Sequence, residues 1–245
     1  MEWSDTGIVI ASRPHGETSA IVETFTRLHG RHLGLVRGGA SRRRRSELQP
    51  GNTLQLHWRA RLSEHLGNFS VEPLRSRAGD LLEGRDALLG LNAFTSVAGT
   101  TLPEREEHSG LFDASEILLD AMTSEPFDHW APLYVRWEVG LLDALGFGLD
   151  LSRCAATGVQ DDLIFVSPRS GRAVSGSAGK PYQGRLFQLP QFLLGSQNSD
   201  VSRTDIADGL QLTGHFLLER VLRPHNRDTP NARLRLGERA ARESK

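Results

Sequence analysis

The residues in this chain with chemistry to offer are arginines. The stretch Arg37-Gly38-Gly39-Ala40-Ser41-Arg42-Arg43-Arg44-Arg45 sets five guanidinium groups on a short, glycine-bearing loop. A guanidinium is a permanently charged fork that matches phosphate oxygens and can also stack on bases. Arg13, Arg27, Arg31, Arg59 and Arg61 surround the loop in sequence, so residues 1–61 carry ten arginines against five acids (Glu2, Asp5, Glu17, Glu23 and Glu47). The formal net charge of the whole chain is only −1, which makes the N-terminal part its electropositive part. Two readings of the run stay open on sequence alone: a surface that tracks phosphates, or a solvated flexible loop. Lysine is nearly absent, with Lys180 and Lys245 its two instances, but a codon bias would produce the same preference.

No other chemistry stands out. Ser175-Gly176-Ser177-Ala178-Gly179-Lys180-Pro181 has the look of a phosphate loop, yet Val174 stands where that motif needs glycine and Pro181 where it needs Ser or Thr. No G-x-S-x-G elbow and no H-E-x-x-H helix occurs. The acids Asp161 and Asp162 read as a solvated pair, and the nine histidines show no ligand spacing. The chain is therefore read as a non-enzyme.

Short alternating runs must position the arginines. Residues 7–11, 20–26 and 32–36 read as strands, separated by Pro14-His15-Gly16 and by a Gly30 hairpin turn. After the turn Pro50-Gly51-Asn52, Leu54, Leu56 and Trp58 alternate with Gln55, His57, Arg59 and Arg61, and a fifth strand is expected at 67–72. Five short antiparallel strands suit a closed barrel, since closure removes exposed edges. An OB-type barrel over residues 1–78 is the leading expectation; an SH3-like barrel or half-sandwich fits the same periodicity.

The period turns helical at residue 80. Leu82, Leu88, Leu91, Phe94 and Val97 share one face, a second helix is expected over 111–122, and a third over 129–145 with Gly146 as its C-terminal glycine. The aromatic residues of that third helix read as core, and the three helices as one hub in a helical domain over 79–150. Residues 151–200 are rich in Gly and Ser and read as an irregular insert with a small hairpin at 163–166. Residues 201–245 are expected to give one helix capped by Ser202, then a polar, mobile tail from His225. The expected class is thus α+β.

At 245 residues, 38% apolar and 24% charged, the composition is ordinary for a globular chain. A single cysteine, Cys154, excludes an intramolecular disulfide framework. With no apolar leader and no run of about 18 apolar residues, a soluble cytoplasmic protein with no membrane contact is expected.

Gly7-Ile8-Val9-Ile10, Gly16-Glu17-Thr18-Ser19-Ala20-Ile21, Thr26, His29-Gly30-Arg31, Arg37-Gly38 and Leu48-Gln49-Pro50 together resemble the N-terminal domain of the RecO family of bacterial recombination mediators. Leu133-Tyr134-Val135-Arg136-Trp137-Glu138, Leu141-Leu142 and Leu145-Gly146-Phe147, through Cys154 and Gly158, are similar to the family's central helix and the start of its metal loop. The resemblance implies an OB barrel on a helical domain, without catalytic chemistry. It implies binding of single- and double-stranded DNA, annealing of complementary strands, engagement of the C-terminal tail of single-stranded DNA-binding protein (SSB), and action with RecR to load RecA in DNA repair. An OB-fold RNA-binding protein of RNA metabolism or translation is the competing expectation.

One departure concerns zinc. Many family members hold the ion with two C-x-x-C pairs; here the four positions read Cys154, Thr157, Ser175 and Ala178. A single thiolate cannot close a tetrahedral site, so loss of the zinc, and no cofactor, is expected. The DNA-binding residues expected are Arg13, Arg27, Arg31, Arg37, Arg42, Arg43, Arg44, Arg45, Arg59 and Arg61, with Trp3, Phe25 and Phe69 as candidates for base stacking, Phe25 being more readily core. The resemblance also suggests a partner groove for an acidic, apolar tail at Arg136, Trp137, Leu141 and Leu142, where Arg136 could equally be an ordinary ion-pairing residue.

Overall fold

A computed structural model describes residues 1–195 and 201–242; residues 196–200 of the insert and 243–245 of the tail lie outside the described residues. The chain folds as two compact units, Met1–Glu125 and Pro126–Lys245. The boundary falls inside the segment that reads from sequence as a single helical domain.

The first unit opens with β1 (Glu2–His15), β2 (Ser19–Thr26) and β3 (Gly30–Val36), followed by α1 (Arg42–Glu47), β4 (Thr53–Arg59) and β5 (Asn68–Arg75). The strands close into a barrel in the order β1-β2-β3-β5-β4, with β1 and β4 paired to complete the ring. Strand β1 is much longer than residues 7–11. It pairs with β4 from Glu2↔Arg59 to Ile8↔Thr53 and with β2 from Gly7↔Thr26 to His15↔Ser19, with a bulge in the β2 pairing between Val9 and Ala11. Pro14 is tolerated because that end of β1 is paired on the β2 side alone. The closing pair β3–β5 is parallel and meets at Leu35↔Asn68. It closes where Gly34 lacks a side chain: a Cβ there would come 2.3 Å from the Phe69 ring.

Inside the barrel lie Val9, Val22, Val36, Leu54, Leu56, Trp58, Phe69 and Val71, so the alternation read in β4 is the one observed. The other face of β1 is covered too, and residues 7–10 are buried without a break. Its cover comes from α3 (Arg85–Thr101), preceded by the short α2 (Ala78–Glu83), and Phe112 of α4 (Ser109–Ser124) packs edge-on against Phe25 of β2 with centroids 5.7 Å apart. Gly84 separates α2 from α3, so Leu82 does not join the stripe of Leu91, Phe94 and Val97 and is exposed.

Barrel and helices are joined by Arg77, only 4% exposed. Its guanidinium donates to Thr53 Oγ1 (2.7 Å), Glu116 Oε2 (2.9 Å) and Asp120 Oδ1 (2.6 Å). Asn52 completes the joint: its Oδ1 accepts from the backbone N–H groups of Arg77 and Ala78, both at 2.9 Å, and its Nδ2 donates to the carbonyls of Ser46 and Glu47. One turn residue thereby holds the end of α1 and the start of α2.

The second unit contains α5 (Phe127–Ala144), a small antiparallel sheet of β6 (Leu163–Val166), β7 (Ala173–Ser175) and, after the one-turn α6 (Gly176–Gly179) and a 3-10 turn Lys180–Arg185, β8 (Phe187–Gln188), then α7 (Arg203–Phe216) and α8 (Asn231–Ala241). Helix α5 packs with α7. Ser202 caps α7 in a capping box with Asp205. The expected mobile tail is corrected: residues 231–241 are helical and bury Arg233, Leu236 and Ala240. An arginine on the buried face hid this helix, and its partner is Glu138 of α5, fully buried, at 2.5 Å and 2.8 Å.

Burial pushes the Asp120 carboxyl up, but the hydrogen bonds and charge of Arg77, aided by Arg75, outweigh it and hold the group below the usual carboxylate range. Its contribution to stability is complete above that range and is lost as pH falls through the lowered value. Arg77→Met leaves Glu116 and Asp120 without their buried partner and is expected to cost roughly 3 kcal/mol, read as a lower urea midpoint at pH 7 with a smaller deficit at pH 3.

Candidate nucleic-acid interface

The arginine run is not a loose loop. Ser41 caps the six-residue helix α1, its Oγ accepting from Arg44 N–H at 3.4 Å, and the carbonyls at the other end are held by Asn52. So short a helix cannot form from local bonds alone, and its order comes from these two side chains. Arg43 is 90% exposed and shares the carboxylate of Glu47 with Arg44, at 3.2 Å and 2.7 Å. Arg44 also donates to the Val71 carbonyl (3.1 Å), which ties α1 to β5.

Beside α1 the barrel carries a groove of about 830 Å³, lined by Arg37, Arg44 and Arg59, the aromatic residues Trp3, Trp58 and Phe69, and polar groups of three neighbouring strands. Ser4, His57 and Ser70 are direct cross-strand neighbours, as are Glu2, Arg59 and Asn68, and all six are exposed. Here the outward rows of β1, β4 and β5 form one polar, cationic surface.

The ten arginines expected to bind DNA are not equivalent. Arg13, Arg37, Arg42, Arg45 and Arg61 have no ion-pair partner among the described residues. Arg59 lies 4.0 Å from Glu2, both well exposed. Two are committed elsewhere. Arg27 makes a two-point contact with Asp113 of α4, 2.9 Å for each bond, and holds that carboxyl below its usual range. Arg31 is 17% exposed and donates to Glu23 (2.5 Å) and to the Leu102 carbonyl (2.7 Å). Both bind the barrel to its supporting helices, and periodicity could not separate them from the free ones.

Among the aromatic residues Phe25 is core, fully buried. Trp3 stacks on both His29 (4.1 Å) and Trp58 (5.6 Å), with Phe69 edge-on at 6.0 Å. Asp5 holds this end of the barrel, its carboxylate accepting from the N–H groups of Thr6, Leu28 and His29. Sequence reading misses Ser4, Asn68 and Ser70 in the groove; the signal is the strand register, which the sequence alone does not supply.

In the second unit the expected partner residues fall differently. Trp137, Leu141 and Leu142 are 2%, 0% and 0% exposed, so they are core and do not wall a surface groove. Arg136 donates to the Phe192 carbonyl at 2.7 Å and 3.2 Å. Of the four positions compared with the zinc ligands, Thr157 and Ser175 meet Cys154. Ser175 donates to Cys154 Sγ from its N–H (3.2 Å) and its hydroxyl (3.4 Å). Burial pushes the thiol up, and the hydrogen bonds of Ser175 and Thr157 outweigh it, bringing it down to about 6. One sulfur among hydroxyl and methyl groups does not fit a zinc ion.

A closed five-stranded barrel in this strand order, with a cationic outer groove and a helical support, makes this an OB-type barrel protein. Residues 1–77 match the family model for the N terminus of recombination protein O, and residues 82–229 that for its C terminus. The chain is 53% identical over 244 residues to DNA repair protein RecO of Cereibacter sphaeroides, covering 99% of this chain and 100% of the relative. It is 50% identical over 246 residues to that of Rhodospirillum rubrum, covering 99% and 97%, and 51% identical over 239 residues to that of Phenylobacterium zucineum, covering 98% and 97%. The chain belongs to the RecO family of DNA repair proteins. Among the described residues no helix is long and apolar enough to cross a membrane.

The committed and free arginines should separate in binding. Arg27→Gln is expected to leave oligonucleotide affinity within about twofold while lowering the urea midpoint slightly; Arg37→Gln together with Arg59→Gln should do the reverse, as read by fluorescence anisotropy and urea titration.

Proposed function

We propose that this protein is a non-catalytic recombination mediator that binds single- and double-stranded DNA without sequence preference, anneals complementary strands, and with RecR helps load RecA at gaps coated by SSB. The observation that carries the reading is the row of ordered arginines on α1 beside the groove, in a chain whose relatives are DNA repair proteins. Arg42 to Arg45, Arg37 and Arg59 contact phosphates, which position the strand and carry no sequence information. Annealing follows from charge: two strands neutralised on one cationic surface repel each other less, so pairing proceeds without a nucleotide cofactor. Partners are the acidic tail of SSB, RecR and, through them, RecA. The Cys154 loop folds on hydrogen bonds alone, without zinc.

Changing Arg42, Arg43, Arg44 and Arg45 together to Ala tests the reading. Anisotropy of a labelled single strand over a salt series should show weaker binding and a log–log slope flatter by about 0.7 for each lost phosphate contact. Equal affinity and slope in the two proteins would place the DNA site elsewhere, and a large preference for RNA over DNA of equal length would favour RNA metabolism instead. Elemental analysis of the purified protein is expected to find zinc well below one ion per chain, with Cys154→Ser folding normally; a stoichiometric ion lost in that variant would overturn the zinc-free loop.

A further inference from the structure

The second unit carries a cluster that none of these roles uses. Residues 163–199 contain no aspartate or glutamate, yet Arg169, Arg172, Lys180 and Arg185 lie among them. Arg172 is engaged by Asp150 at 3.2 Å, whereas Lys180 and Arg185 are exposed and have no ion-pair partner among the described residues. These two cations bound the 3-10 turn Lys180–Arg185, and between them stands Tyr182, 58% exposed. The chain's other tyrosine, Tyr134, is fully buried.

The turn is firmly seated. Pro181 restricts its backbone at the start. Gly179, just before it, is buried so closely that a Cβ there would lie 2.4 Å from the ring of Phe165, itself core of the small sheet. Beside the tyrosine, Gln183 and Gly184 are exposed too. An exposed ring flanked in sequence by two exposed cations that have no ion-pair partner among the described residues fits a nucleobase on its face and phosphates at its flanks. We propose that Tyr182, with Lys180 and Arg185, is a second contact for single-stranded nucleic acid, made by the second unit and separate from the barrel groove. The proposal extends the DNA-binding reading, and its test separates the two.

An oligothymidylate bearing 5-iodouracil is photocrosslinked to the full-length protein, and to the variant with Arg42 to Arg45 changed to Ala, and the modified peptides are identified by mass spectrometry. A crosslinked peptide containing Tyr182 is expected in both proteins. In the arginine-to-alanine background, Tyr182→Ala should weaken the remaining binding by at least about fivefold, the lower end for loss of one base–aromatic stack. Tyr182→Phe should retain it, since the ring and not the hydroxyl does the stacking. Crosslinks confined to the barrel, or unchanged affinity in Tyr182→Ala, would overturn the proposal while leaving the barrel site standing. A Tyr182 crosslink with no effect of the Arg42 to Arg45 change would do the opposite.

Discussion

A guanidinium cannot be buried without acids to meet it, and Arg77 makes that constraint the joint of the first unit. Thr53 begins a barrel strand, Glu116 and Asp120 belong to a supporting helix, and all three must reach one planar group. The geometry leaves little freedom for α4 to shift against β4. Asn52 extends the same joint to the arginine helix by holding its terminal carbonyls and the first N–H groups of α2. The position of the cationic residues therefore depends on polar contacts at a single turn, on the opposite end of α1 from Ser41.

Charge in this protein divides into two populations with different work. Arg27, Arg31, Arg77 and Arg233 have carboxylates of their own and contribute to cohesion. Arg13, Arg37, Arg42, Arg45 and Arg61 have none among the described residues and leave their charge unneutralised. A net charge near zero conceals the division, because the sum counts paired and unpaired arginines alike.

The barrel is legible wherever alternation is clean. Leu54, Leu56 and Trp58 read as inward and are inward. Strand β1 reads short because, Trp3 apart, the positions from Glu2 to Thr6 are polar and carry no periodic apolar signal. Helix α1 is invisible because six residues give no period, and it is ordered by Asn52, distant in neither sequence nor space but silent in any pattern. Helix α8 reads as tail for the opposite reason: Arg233 counts as polar in sequence and as core once Glu138 neutralises it. Trp137, Leu141 and Leu142 lie on a stripe that sequence can show to be apolar but not whether solvent or α7 lies beyond it.

Glu47 lies within hydrogen-bonding distance of two of the four helix arginines, with a side chain only 12% exposed. For Arg43 and Arg44, meeting a phosphate is then a swap of one anion for another, not the capture of a bare cation. On the proposed reading, the displaced carboxylate stays on α1 beside both arginines, placed to retake them. On that reading, the grip on a strand at this helix is therefore shallow and renewed contact by contact.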